Sequence, residues 1–222
     1  MKKRILILFL LSFHCFGQED NSFFVNATEA IVKNDGYYNV NELMIGKAWD
    51  FNGESALDLG LAYRFSISFK KRFKSHFLGG SITYSFWPKE RRVRPFINLA
   101  LFTEVATNYK NGLLLGYGHV PIDKYSYNGE ENYARWYKGT PIVGNLFFGF
   151  NIRLFPDLYL KPALGISYES VRSKSLTWID GELENPLEEA NKGPMKVSSV
   201  FSYNFQLGLR YMFSFKKSSK SK

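Results

Sequence analysis

The 222 residues carry 29 Lys and Arg against 20 Asp and Glu, a formal net charge of +9, with 18% aromatic residues and a single cysteine. The positive excess gathers at the two ends, in Lys2, Lys3 and Arg4 and in Lys216, Lys217, Lys220 and Lys222, so the body lacks the basic stripe a nucleic-acid binder needs. No later stretch reaches 18 apolar residues without a charge, which excludes a transmembrane helix, and the mean hydropathy is −0.22.

Residues 1–17 have the layout of a secretory signal peptide: a basic start, an apolar run from Ile5 to Phe13 and a short segment ending at Gly17. Cys15 and Gly17 are the small residues a signal peptidase reads, which places the cut before Gln18. Lipidation of Cys15 is the rival reading, but Ser12, Phe13 and His14 fit a lipobox poorly. Cleavage removes the only cysteine, and with it any disulfide or thiolate metal site. It also subtracts three positive charges, so +9 becomes +6, four of which lie in the tail 216–222.

Residues 18–36 read as a periplasmic lead-in or, alternatively, as a first strand. Residues 37–215 read as strands. After a weak candidate at 40–51, residues 56–69 alternate without a break: Leu57, Leu59, Leu61, Tyr63, Phe65, Ile67 and Phe69 on one face, Asp58, Gly60, Ala62, Arg64 and Ser66 on the other. Weaker copies follow at 76–87, 94–106 and 112–120. Residues 140–155 alternate strongly (Ile142, Leu146, Phe148, Phe150, Ile152, Leu154), residues 158–171 less so, and 197–215 with Phe201, Tyr203, Phe205, Leu207, Leu209, Tyr211, Phe213 and Phe215 against Ser202, Asn204, Gln206, Gly208 and Arg210. The expected fold is all-β, an eight-stranded antiparallel up-and-down transmembrane barrel.

A soluble barrel would turn the apolar face inward, yet eight strands leave an interior only just wide enough for side chains to fill. The large residues of the best strands do not fit there. The opposite face, rich in Gly, Ala, Ser and Asn, is also wrong for solvent. The small face therefore looks in and the apolar face meets lipid, and only a closed sheet pairs every backbone amide there.

A pattern of polar residue, Gly and alternating apolar positions recurs as DLGLAYRF at 58–65, QLGLRYMF at 206–213 and, more loosely, FFGFNIRL at 147–154. It resembles the C-terminal signal read by the barrel-assembly machinery on a strand running toward the periplasm, which implies that all three segments point downward. On that reading FKKRFKS (69–75), TNYKNG (107–112) and FPD (155–157) are periplasmic turns, while FNGES, PKERRVRP, 121–139 and 172–195 are extracellular loops. A competing register pairs 23–33 with 37–50 through the hairpin signal Asn34, Asp35, Gly36 and flips the first half of the barrel. The whole mature chain resembles the small outer-membrane barrels of OmpA, OmpX and OmpW type and the outer membrane protein beta-barrel domain family. That resemblance implies an outer-membrane location in a Gram-negative-type cell, contact with outer-membrane lipid and lipopolysaccharide, and insertion by the assembly machinery.

The inward face carries Asp58, Arg64, Glu104, Arg153, Lys161, Glu169 and Arg210. Buried charge is costly unless paired, so these groups are expected to plug the lumen rather than conduct. For an enzyme, such as a lipid A deacylase, the mature chain offers only His76 and His119; His119 precedes Ser126, but Pro121 stands where a His-x-Ser motif would put its serine. No catalytic, cofactor or metal residue is assigned. The segment 172–195, with Asp180, Glu182, Glu184, Glu188 and Glu189 against Arg172, Lys174 and Lys192, matches no calcium loop and is the candidate surface for an extracellular partner. The expected role is non-enzymatic, envelope-structural or adhesive, with a lipid-modifying enzyme or a transporter of small apolar molecules as alternatives.

Overall fold

The computed structural model describes residues 22–33, 37–51, 54–68, 74–87, 91–108, 126–128, 131–179 and 185–214. Among them, alternation of period two yields β1 (Ser22–Lys33), β2 (Tyr37–Phe51), β3 (Ser55–Ser68), β4 (Lys74–Phe86), β5 (Val93–Thr107), β6 (Ser126–Asn128), β7 (Glu131–Phe155), β8 (Leu158–Ile179) and β9 (Met195–Ser214). Among the described residues the one helix is the seven-residue α1 (Pro186–Lys192), which precedes β9; Asn185 caps it and Pro186 opens it.

All neighbours are antiparallel, in the order β5-β4-β3-β2-β1-β9-β8-β7-β6, and β5 also pairs with β7. The sheet therefore closes as an eight-stranded up-and-down barrel of β1–β5 and β7–β9, with β6 a short addition to β7. Ser22–Lys33 is the first strand, paired with β2 along one edge and β9 along the other. The hairpin register is the one adopted, and over residues 22–33 it replaces the lead-in. The physical reason is closure: without β1, β9 and β2 would leave two amide edges open. The expected strand at 112–120 lies outside the described residues, and β5 reaches β7 directly.

This register corrects the expected directions. β9 and β7 run the same way, but β3 is antiparallel to β9, because β1 and β2 intervene. The shared DLGLAYRF and QLGLRYMF pattern thus records inward polar, inward Gly and outward aromatic positions, which are the same on a strand of either direction. The strand ends Phe51, Ser55, Phe86, Val93, Phe155 and Leu158 share one end of the barrel with Ser22 and Ser214. Ser68 and Lys74, which flank the expected periplasmic turn FKKRFKS, lie at the other end with Ile179 and Met195, so that turn and the expected extracellular loops FNGES and PKERRVRP fall on the opposite sides to those expected. The segment 172–195 is also less of a loop than expected: β8 continues to Ile179 and α1 fills much of the remainder.

The inside-out distribution matches the volume argument. Tyr203 is 78% exposed on the outer wall, whereas Arg64 is 1% exposed in the lumen. Leu61, Leu101, Phe148, Leu164 and Phe205 are likewise half exposed or more. The lumen is not uniformly small, however. Phe24, Phe77, Phe96, Phe102 and Phe147 all point inward and are buried. They nest against inward glycines: a Cβ on Gly165 would lie 2.5 Å from Phe147, and one on Gly149 2.8 Å from Phe96.

The strands are of two lengths. β1 to β5 span 12 to 15 residues, while β7, β8 and β9 span 25, 22 and 20. Pairing of β5 with β7 stops at Phe102 and Val143, and pairing of β1 with β9 stops at Lys33 and Tyr203. Beyond those points β7, β8 and β9 continue as a three-stranded projection on one side of the rim, with Ala190 of α1 buried against it. β7 shifts register at Gly139, whose φ of +133° is open to glycine and strained for other residues.

Candidate functional site

The inward polar side chains form tiers along the barrel axis. In the tier toward Ser22 and Ser214, Asp58 near the start of β3 accepts both guanidinium arms of Arg210 from β9, one at 3.0 Å. Both residues are buried. A bidentate pair of this kind supplies direction as well as charge. The Arg210 guanidinium lies 4.7 Å from the Phe24 ring centroid. Lys161 places its ammonium 4.6 Å from the Phe96 ring centroid. Arg94 donates to the carbonyl of Trp87 at 3.0 Å and approaches Asp50 at 3.9 Å. That contact anchors Trp87, which has a φ of +69° at the β4–β5 connection.

The middle tier is a continuous network. Arg64 donates to Asn145 at 3.1 Å and to Glu169 at 3.2 Å. Asn145 donates to Glu42 at 3.3 Å and accepts from Ser167 at 2.6 Å, and Ser167 in turn accepts from Asn204. Gln206 donates to Thr28 at 2.8 Å and to Glu42 at 3.4 Å. Phe77 and Phe102 flank the Arg64 guanidinium, their ring centroids at 5.6 and 5.8 Å. At the rim, Glu104 accepts from the Tyr137 hydroxyl at 2.6 Å and from the Thr140 backbone N–H at 2.9 Å, beside the Gly139 irregularity.

Of the charges expected to face inward, Asp58, Arg64, Lys161 and Arg210 are buried in the lumen, and Glu169 joins them as the partner of Arg64. Glu104 sits apart, at the rim. Arg153 is half-buried near the opposite end, its backbone N–H donating to Arg92 at 2.7 Å. Glu42, Asp50 and Arg94 complete the tiers and were missed. On β2 both faces carry apolar residues, Val40 and Met44 inside with Leu43 and Ile45 outside, so the alternation that would have exposed Glu42 is blurred. Its signal was the Asn-Asp-Gly turn, which fixes the face of every β2 residue once the hairpin is accepted.

His76 lies on the outer wall, its Nδ1 2.5 Å from the Tyr63 hydroxyl and its ring centroid 5.0 Å from that of Phe65. His119 and the acidic residues 180–184 lie outside the described residues. Among the described residues no cluster of His, Cys, Asp or Glu has the geometry of a metal site, and no helix is long and apolar enough to cross a membrane.

No family model and no curated protein matches the chain. Solved structures similar to it include Neisserial surface protein A, at 16% identity and a TM-score of 0.48, covering 89% of this chain and all of that one. The N-terminal β-barrel domain of Pseudomonas aeruginosa OprF is 12% identical, with a TM-score of 0.44, 88% of this chain and all of that domain being covered. The attachment invasion locus protein Ail of Yersinia pestis is 12% identical over 88% of this chain and all of its own, at a TM-score of 0.40.

Proposed function

We propose that the protein is a non-enzymatic integral outer-membrane barrel whose projection of β7, β8 and β9 works as a binding or adhesion platform outside the cell. The observation that carries the reading is the one-sided outgrowth of the wall. Residues 131–142 of β7 continue past the last β5 pairing, roughly 40 Å of strand at about 3.3 Å per residue. An apolar outer wall around a polar lumen supports residence in lipid, and the end bearing the longer connections is the extracellular one in barrels of this class. The connections 52–54, 87–92 and 156–157 then face the periplasm. The charges of the lumen are engaged with one another and with aromatic faces, which supports a plug rather than a conduit.

The test shortens the projection. Replacing residues 171–198 by a two-residue turn removes the β8–β9 part of the projection and keeps the β8–β9 pairing of the barrel wall from Ser170 and Ser199 onward. Heat-modifiable migration and recovery in the outer-membrane fraction should persist, while attachment of expressing cells to host-cell or matrix surfaces should fall to that of cells lacking the protein. Unchanged attachment would remove the platform reading.

A further inference from the structure

The outer wall is not uniformly apolar. In one cross-strand row, Leu207 of β9, Glu29 of β1, Asn41 of β2, Phe65 of β3 and His76 of β4 are in register. Glu29 therefore presents a carboxylate on the face that elsewhere carries Leu, Phe and Ile. An unpaired charge on the lipid face is destabilising to a degree that depends on depth.

Below Glu29 lies Ala27, a small residue in register with Leu209 on one side and Leu43 on the other. The gap over Ala27 is the floor of a groove of about 850 Å3, walled by Leu43, Leu160, Leu207 and Leu209 and bordered by Tyr63 and His76. That volume falls in the range of small-ligand sites, about 300–1,000 Å3. Of the residues lining it, Glu29 and Glu42 carry carboxylates and none is Lys or Arg. Glu42 is spoken for in the lumen by Asn145 and Gln206. The groove thus offers hydrocarbon walls and one outward negative charge.

The rim chemistry sets the polarity of the ligand. A carboxylate only accepts, so Asn39 must donate to Glu29 (2.5 Å), which turns its own carbonyl oxygen to accept from Asn41 at 2.9 Å. One amide hydrogen of Asn39 and one of Asn41 are used along this chain toward Glu29, and the second carboxylate oxygen of Glu29 and the carbonyl oxygen of Asn41 remain as acceptors beside the outward negative charge. A primary ammonium, with three donors and a positive charge, is the complement. A head group whose only charge is negative would meet the like charge of Glu29, with no Lys or Arg in the lining to offset it.

We propose that this groove holds one lipid whose head group bears a primary ammonium, an aminophospholipid, with an acyl chain over Ala27 and the ammonium on Glu29 and Asn41. The proposal rests on the membrane reading above and adds where, and by which head group, the barrel selects its lipid. It does not require the projection.

Native mass spectrometry of the full chain, released from detergent micelles containing equimolar phosphatidylethanolamine and phosphatidylglycerol, tests it. One charge-assisted hydrogen-bonded contact corresponds to roughly a tenfold preference for the ethanolamine lipid, which Glu29→Gln should abolish. Ala27→Leu, which fills the floor and keeps the charge, should lower retention of the ethanolamine lipid, while Leu101→Ala on another part of the wall should leave the preference intact. Equal retention of both lipids by the wild-type chain, or an unaltered preference in Glu29→Gln with heat-modifiable migration preserved, overturns the site alone. A dimer that excludes lipid from the groove overturns it as well. A wild-type chain that stays water-soluble without detergent overturns the membrane reading together with the site.

Discussion

The wall built by β1 to β5 and the wall built by β7 to β9 follow the same alternation, yet they end at different heights. Every strand of the shorter wall is paired on both sides, β5 with β7 as far as Phe102 and with β4 alone from there to Thr107. In the taller one, β7, β8 and β9 leave the barrel at Val143 and Tyr203 and continue as an open sheet. Below that level the inward side chains include Arg, Asp, Glu, Asn and Phe, packed and mutually bonded; above it the buried side chains are Tyr137, Thr140, Val171, Ser173 and Ser175, with Ala190 of α1 laid over the sheet. Stability is concentrated in the closed part, where every strand has a partner on each side and lost pairing has no substitute.

The closed wall is most sensitive at the Asp58–Arg210 pair. Asp58→Ala leaves a buried guanidinium without its counter-charge and should destabilise the barrel by about 3–5 kcal/mol, whereas Asp58→Leu combined with Arg210→Met should be close to neutral. Urea unfolding in detergent, followed by loss of heat-modifiable migration, measures both. Next comes the packing of rings against glycine. Gly165→Ala brings a methyl to 2.3 Å from the Leu146 carbonyl oxygen and 2.5 Å from Phe147 and should cost about 1–3 kcal/mol in the same assay.

At the junction, Glu104→Ala removes the acceptor of Tyr137 and of the Thr140 N–H, a loss of about 1–3 kcal/mol where the donors stay buried. The effect should be local. Limited proteolysis should cut the projection sooner while the barrel fragment stays protected. The smallest effect belongs to the Lys192–Glu189 contact of 2.6 Å on α1. A hydrogen bond from the Lys192 ammonium to Glu189, with the attraction between their charges, raises its pKa above the usual value. Its contribution is thus complete below the ordinary lysine pKa and fades only as the pH rises through the raised value. The pair is exposed, so Lys192→Ala should leave unfolding unchanged at neutral pH.

How much of this was legible depended on how cleanly each segment alternated. Residues 56–69, 140–155 and 197–215 declared their strands, their faces and the inward position of Asp58, Arg64, Arg153 and Arg210. β1 and β2 did not, since Phe24, Ala30, Val32, Val40 and Met44 put apolar side chains inward and erase the contrast between faces. The repeated motif misled for a related reason: period two has no polarity along the chain, so it marks a face and not a direction.

The sequence by itself determined a lipid-facing strand pattern, an inward set of charges and a closed sheet, because alternation and the need to pair every amide are properties of the chain and its solvent. Only the tertiary structure decided which charge meets which. Arg64 reaches Asn145 and Glu169, and Arg210 reaches Asp58, because those strands face one another across a closed lumen. It also decided that Glu29, Asn39 and Asn41 form one directed chain on the outer wall. Residues far apart in sequence, or on opposite sides of a turn, acquire their distances only when the barrel closes and the register is set.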